Sequence, residues 1–131
     1  MGSNEGGDGR DAMITIYGLK NCDSCRKAKA WLEAERDAVR LHDLRDDGVP
    51  AAELDGWLAR LGWERLLNRR STTWRGLPSE EKQSLDGAAA KRLMLAHPTL
   101  IKRPVIRAGE HLVVGFSAAE QSALQEALAT L

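Results

Sequence analysis

The chain opens its patterned region with MITIY, residues 13–17, a short apolar and β-branched run ended by Gly18 that predicts a buried strand. After the loop LKNCDS, the residues CRKAKAWLEAE are strong helix formers, and Ala28, Trp31 and Leu32 fall on one face. A helix starting at Asp23 or Ser24 is expected to turn that face inward. VRLHDL, residues 39–44, reads as a second strand with alternating character, and Asp46, Asp47, Gly48 and Pro50 then break the pattern. The first third of the chain is therefore strand, helix, strand.

From residue 51 the period changes. Leu54, Trp57, Leu58 and Leu61 recur at i, i+3, i+4 and i+7, the spacing of an amphipathic helix, and Gly62 ends it. WERLLNRRSTTWRGLP is less regular and leads through SEEK to AAAKRLMLAHP, a further helix stopped by Pro98. LIKRPVI and HLVVGF then read as two strands joined by a glycine turn at RAGE. In the last segment Ser117 and Glu120 form a capping box before a helix carrying Leu124, Leu128 and Leu131 on one side. Four strands and four or five helices result. The order predicts an α/β fold: a mixed four-stranded sheet flanked by helices, its first two strands parallel across a βαβ crossover and its last two antiparallel. A helical insertion, about residues 50–98, separates the βαβ and ββα halves of a single domain over 13–131. Residues 1–12, MGSNEGGDGRDA, are polar and glycine-rich, and read as a disordered leader or tag remnant.

Composition narrows the chemistry. A chain of 131 residues buries a core without needing disulfides or metal to hold it. Nothing resembles a signal peptide or membrane span, so a cytoplasmic setting is expected, in which thiols stay reduced. Lysine plus arginine equals aspartate plus glutamate at 19 each, so no global positive field draws in nucleic acid or an anionic membrane, and neither is expected as a direct partner.

The candidate chemistry lies in KNCDSCRKAKAWLE. Both cysteines of the chain, Cys22 and Cys25, stand two residues apart where the first strand hands over to its helix. There the helix dipole and unpaired backbone N–H groups, with Lys20, Arg26 and Lys27 nearby, lower the thiol pKa and favour Cys22 as a nucleophile. Cys25, one turn into the helix, is placed to attack a mixed disulfide on Cys22. Equally, it is an ordinary small residue on the buried side, with Cys22 working alone and external thiol resolving its intermediates. Half a zinc site is the weaker reading, since His42, His97 and His111 lack the spacing of a second half. Trp31, Trp57, Trp63 and Trp74 read as packing residues and His42 as structural. Arg65, Arg69, Arg70 and Arg75 suit a solvated face or an anion site equally.

KNCDSCRKAKAWLE, taken with LLNRRSTTWR and LIKRP, resembles the arsenate reductase-like family of thioredoxin-fold proteins, which includes ArsC, the Spx regulators and the YffB group. GWERLLNRRSTTWRGL and IKRPVI are most similar to blocks of the YffB group. The resemblance implies a thioredoxin-like core with a helical insertion, Cys22 as reactive thiol, and a cis Pro104 following Arg103 opposite it. It also implies that Asn21, Arg26, Arg70, Arg103 and Pro104 contact substrate. Departures are equally visible. Arsenate reductases of the family carry a histidine where Gly18 stands and use three arginines, of which only Arg103 falls on the pattern, Asn68 standing at the first position. The activity implied is a glutathione-dependent thiol–disulfide reductase, with glutathione as thiol co-substrate and no metal, flavin or nicotinamide. Arsenate reduction is the second enzyme reading. An Spx-like redox regulator that binds RNA polymerase is the reading from another class, and a protein disulfide is a further candidate partner.

Overall fold

The structure, a computed structural model, describes residues 14–36 and 38–131; the expected strand start at Met13 and the leader over 1–12 lie outside the described residues. In chain order the elements are β1 (Ile14–Gly18), α1 (Asp23–Glu35), β2 (Val39–Asp43), α2 (Ala51–Leu61), α3 (Trp63–Leu66), α4 (Thr72–Gly76), α5 (Ser79–Gln83), α6 (Gly87–Ala96), a 3₁₀ turn (Pro98–Leu100), β3 (Val105–Ala108), β4 (His111–Val114) and α7 (Ala118–Ala129). They form two compact units, one built from the described residues up to Asp43 together with Arg103–Leu131, the other from Leu44–Lys102.

The first unit is a mixed four-stranded sheet in the order β2-β1-β3-β4. β1 runs parallel to β2, with Ile16 opposite Leu41 and Gly18 opposite Asp43, and antiparallel to β3; β3 and β4 are antiparallel. Two periodicities meet in its core. Ile14 and Ile16 of β1 and Ile106 and Ala108 of β3, alternating along their strands, pack with Ala28 and Leu32 of α1 and with Leu124 and Leu128 of α7. Trp31 is half-buried at the edge of this cluster, its ring centroid 5.7 Å from Phe116 in an edge-to-face pair. The capping box is present, with Ser117 N–H donating to Glu120 Oε1 at 2.7 Å. Leu131 departs from the expected pattern: α7 stops at Ala129, so Leu131 leaves the helical face and is exposed.

The strand expected across LIKRPVI begins only at Val105, because Pro104 has no N–H to give to a ladder. Its carbonyl is used instead, accepting from Gly115 N–H at 2.8 Å.

The second unit is helical. α2 buries Leu54 and Trp57 and half-buries Leu58 and Leu61, and α6 buries Ala90, Leu93 and Met94. The irregular stretch and the SEEK segment after it resolve into three short helices, so the described residues hold seven α-helices rather than four or five. Frequent stop signals explain the difference. Gly62, with φ 85°, ends α2, Ser71 caps α4 by accepting Trp74 N–H at 3.1 Å, and Pro78 precedes α5. An isolated antiparallel bridge, Leu67 to Ile101, ties the chain after α3 to the 3₁₀ turn. No helix among the described residues is long and apolar enough to cross a membrane.

Candidate active site

Four residues, Leu19 to Cys22, connect β1 to α1, and their backbone is closely held. Cys22 N–H donates to Leu19 O at 3.1 Å, and Lys20 N–H donates to Asp43 Oδ2 at 2.8 Å. Cys22 occupies the N-cap position of α1 with an extended backbone, φ −88° and ψ 124°, and its carbonyl accepts the Arg26 N–H at 3.0 Å. Its half-buried sulfur therefore sits at the positive end of a 13-residue helix.

Cys25 is buried in the first turn. The space for its sulfur comes from Gly18: a Cβ at that position would lie 2.3 Å from Cys25 Sγ and 3.2 Å from Cys25 Cβ. Glycine is required there by close approach, not by its backbone angles.

Arg103 brings the third group. It is half-buried beside the buried Pro104, and the Arg103–Pro104 peptide is cis. Burial alone would push the Cys22 thiol up. It is outweighed by hydrogen bonds from the Cys25 backbone N–H, the Cys25 thiol and the Arg103 guanidinium, together with the Arg103 charge, so Cys22 is held below the ordinary thiol range. Cys25 moves the other way. Burial, first, and then the neighbouring Cys22 push it up to about 12, against the opposing Leu19 N–H and the Arg103 charge. Of the pair, Cys22 is the thiol that ionises first, and Cys25 keeps its proton and donates to it.

The cations expected to act on Cys22 are not the ones that do. Arg26 is exposed, and Lys27 pairs with Asp23 at 3.3 Å in solvent; the charge that bears on the sulfur is that of Arg103, brought from far along the chain by the β1–β3 pairing. Asn21 lies exposed in the loop beside Cys22. Arg70 belongs to the second unit, exposed, its N–H donating to Asn68 Oδ1 at 3.1 Å. In the same unit the Arg69 guanidinium lies 5.8 Å from the Trp63 ring and 5.9 Å from that of Trp74, so these two indoles carry a cation as well as packing. His42 stands 5.3 Å from Tyr17, ring to ring. Among the described residues no three His, Cys, Asp or Glu side chains gather to hold a metal ion. Asp43 was not singled out by the sequence pattern; the available signal was an acidic residue ending a strand of alternating character.

Arg103→Ala is expected to raise the midpoint of Cys22 alkylation with pH. Two of the effects that hold the thiolate are lost while burial stays, so the rate at neutral pH falls by roughly tenfold for every pH unit by which the midpoint rises, and converges with wild type in alkali. A mass-resolved iodoacetamide pH profile measures it, and an unchanged midpoint would remove Arg103 from the site.

The ArsC family model matches residues 17–124, spanning both cysteines and Arg103. The chain belongs to the ArsC family. Among solved structures, a YffB protein superimposes with a TM-score of 0.80 at 41% identity, covering 88% of this chain and 98% of that one. An ArsC-related protein from Brucella melitensis gives a TM-score of 0.67 at 43% identity, covering 86% and 94%. The global transcriptional regulator Spx of Streptococcus pneumoniae is 29% identical over 107 residues, 80% of each chain. The fold of this ArsC-family chain is thus arsenate reductase-like, with a thioredoxin-like sheet.

Proposed function

We propose that this ArsC-family protein is a thiol–disulfide reductase that takes glutathione as its thiol partner. The observation that carries the proposal is the Cys22 sulfur, half-buried at a helix N-terminus and receiving hydrogen bonds from both Cys25 and Arg103. Such a thiolate attacks one sulfur of a substrate disulfide, forming a mixed disulfide on Cys22 and expelling the other half as a thiolate, which takes a proton from water. Cys25 then loses its proton and attacks Cys22 Sγ, releasing the second substrate thiol and leaving a Cys22–Cys25 disulfide. Two molecules of glutathione reduce that disulfide, restoring both thiols and leaving as oxidised glutathione. Arg103, with Arg26, offers guanidinium groups for the carboxylates of the partner, and Asn21 and the backbone beside Pro104 supply polar contacts to it.

Incubating the reduced protein with oxidised glutathione and weighing it intact tests this. Expected is the mass of one added glutathione on Cys22, or the loss of two hydrogens on closing the pair. A protein that emerges with its reduced mass is not this enzyme. Identity to Spx over most of the chain favours one second reading, a regulator that engages RNA polymerase with the cysteine pair as its switch. Oxidation-dependent co-purification with polymerase, without turnover of glutathione, would select it. The arsenate reading draws on the arsenate reductase-like fold, and arsenate-dependent thiol consumption lost in Cys22→Ser would support it.

A further inference from the structure

Cys22 is the N-cap residue of α1, so the place of its sulfur depends on the short loop that delivers it, and that loop has few covalent or packing restraints of its own. Lys20 and Asn21 are exposed, and Leu19 is only half-buried. What fixes the loop is hydrogen bonding of its backbone. Leu19 N–H bonds to the Cys25 sulfur, Cys22 N–H bonds back to Leu19 O at 3.1 Å, and Lys20 N–H donates to Asp43 Oδ2 at 2.8 Å. Only the last of these three reaches outside the loop and its own helix, spanning 23 residues of sequence.

Asp43 is an unusual acceptor for this task. It is the last residue of β2, its register partner across the parallel ladder is Gly18, and it is 6% exposed. A carboxylate withdrawn from water must recover its hydration through hydrogen bonds, and a loop N–H pointed at it does so with more strength than a neutral acceptor would receive. The groups with the largest effect on the Cys22 charge are Cys25 and Arg103, so Asp43 works on that sulfur through the backbone rather than through its own field.

We propose that Asp43 is a positioning residue for the reactive thiol: its carboxylate, at the β2 end of the Gly18–Asp43 rung, holds the Lys20 N–H and thereby keeps Cys22 Sγ in reach of the Cys25 and Arg103 donors. The inference rests on Cys22 being the reactive thiol of the proposed reductase. Loosening the loop leaves burial acting on the sulfur and weakens what opposes it, so the Cys22 thiol becomes less acidic.

The test is the alkylation rate of Cys22 in the full reduced chain against pH, followed by mass with iodoacetamide as probe, in wild type, Asp43→Ala and Asp43→Asn. Asp43→Ala moves the midpoint upward by roughly half to one pH unit, the span that loss of one ordinary hydrogen bond covers. Asp43→Asn keeps an acceptor oxygen of the same reach and stays nearer wild type than Asp43→Ala does. A role in stability alone would lower Tm in both variants and leave the midpoints superimposed, and that result overturns the proposal, as does an Asp43→Asn midpoint equal to that of Asp43→Ala. Should Asp43→Ala fail to fold, hydrogen exchange of the Lys20 amide decides: protection in wild type that weakens in Asp43→Asn supports the tether, and equally fast exchange in both ends it. The reductase and the tether fail separately. A wild-type protein with a lowered midpoint that takes up no glutathione sinks the reductase and spares the tether; glutathione uptake with identical midpoints in wild type and Asp43→Ala does the reverse.

Discussion

Cys22→Ser is expected to abolish formation of the glutathione adduct at neutral pH, with Cys25 unable to take over. Serine keeps the size and the hydrogen bonds of the site but ionises far above any working pH, so the nucleophile is lost while the fold stays. Cys25 is the remaining thiol. Its burial, the largest cause of its raised pKa, is untouched by the substitution, although the contribution from Cys22 disappears. A thiol held near 12 is ionised at neutral pH to roughly one part in 10⁵, and a residual rate at least ~10³-fold below wild type follows even if the thiol is somewhat more acidic in the variant. Intact mass after timed exposure to oxidised glutathione measures it. An adduct on Cys25 at a comparable rate would show that the second sulfur is neither buried nor passive, and would reverse the roles of the two thiols. Cys25→Ser is the complement: the adduct on Cys22 forms and accumulates, because nothing within the chain displaces it.

Gly18→Ala is expected to destabilise the protein and to expose Cys25 to reagent. The added Cβ would stand 2.3 Å from Cys25 Sγ, well inside van der Waals contact, and 3.2 Å from Cys25 Cβ. Either the thiol rotates out of its buried well or the first turn of α1 moves off the end of β1, at a cost of about 1–3 kcal/mol for overpacking. Both responses break the hydrogen bond from Cys25 to Cys22. The measurements are Tm and the rate of Cys25 alkylation in the native state, which should rise from near zero. Gly18→Ala with Cys25→Ala removes the offending sulfur and should recover most of the stability, an interaction between neighbours that a double-mutant cycle reads directly. Wild-type stability and an unreactive Cys25 in the single variant would mean that the close approach is not a constraint.

Gly18 shows how far a sequence can be read. As a strand terminator it was plain, since MITIY runs into it and a polar loop follows. Its partnership with Cys25 was not, because the contact depends on how α1 lies across the sheet. Cys25 shows the same limit. Its helical position was legible, whereas its hydrogen bond to Cys22 was not. The arginines diverged for a related reason: Arg26 and Lys27 are neighbours of Cys22 in sequence, yet a helix turns them to solvent, whereas Arg103 reaches the sulfur because β3 lies beside β1.

The sequence by itself determined the order of the strands and the long helices, the mixed sheet, the stops at Gly18, Gly62 and Pro98, and the placing of a Cys-x-x-Cys pair at a strand-to-helix junction. These follow from forces that act over a few residues: propensity, apolar period, capping and the rigidity of proline. Only the tertiary structure decided which cation faces Cys22, why position 18 admits no side chain, and that Asp43 grips the loop. Each of those is a meeting of residues distant in sequence, and strand order and register, which no local pattern encodes, set whether they meet.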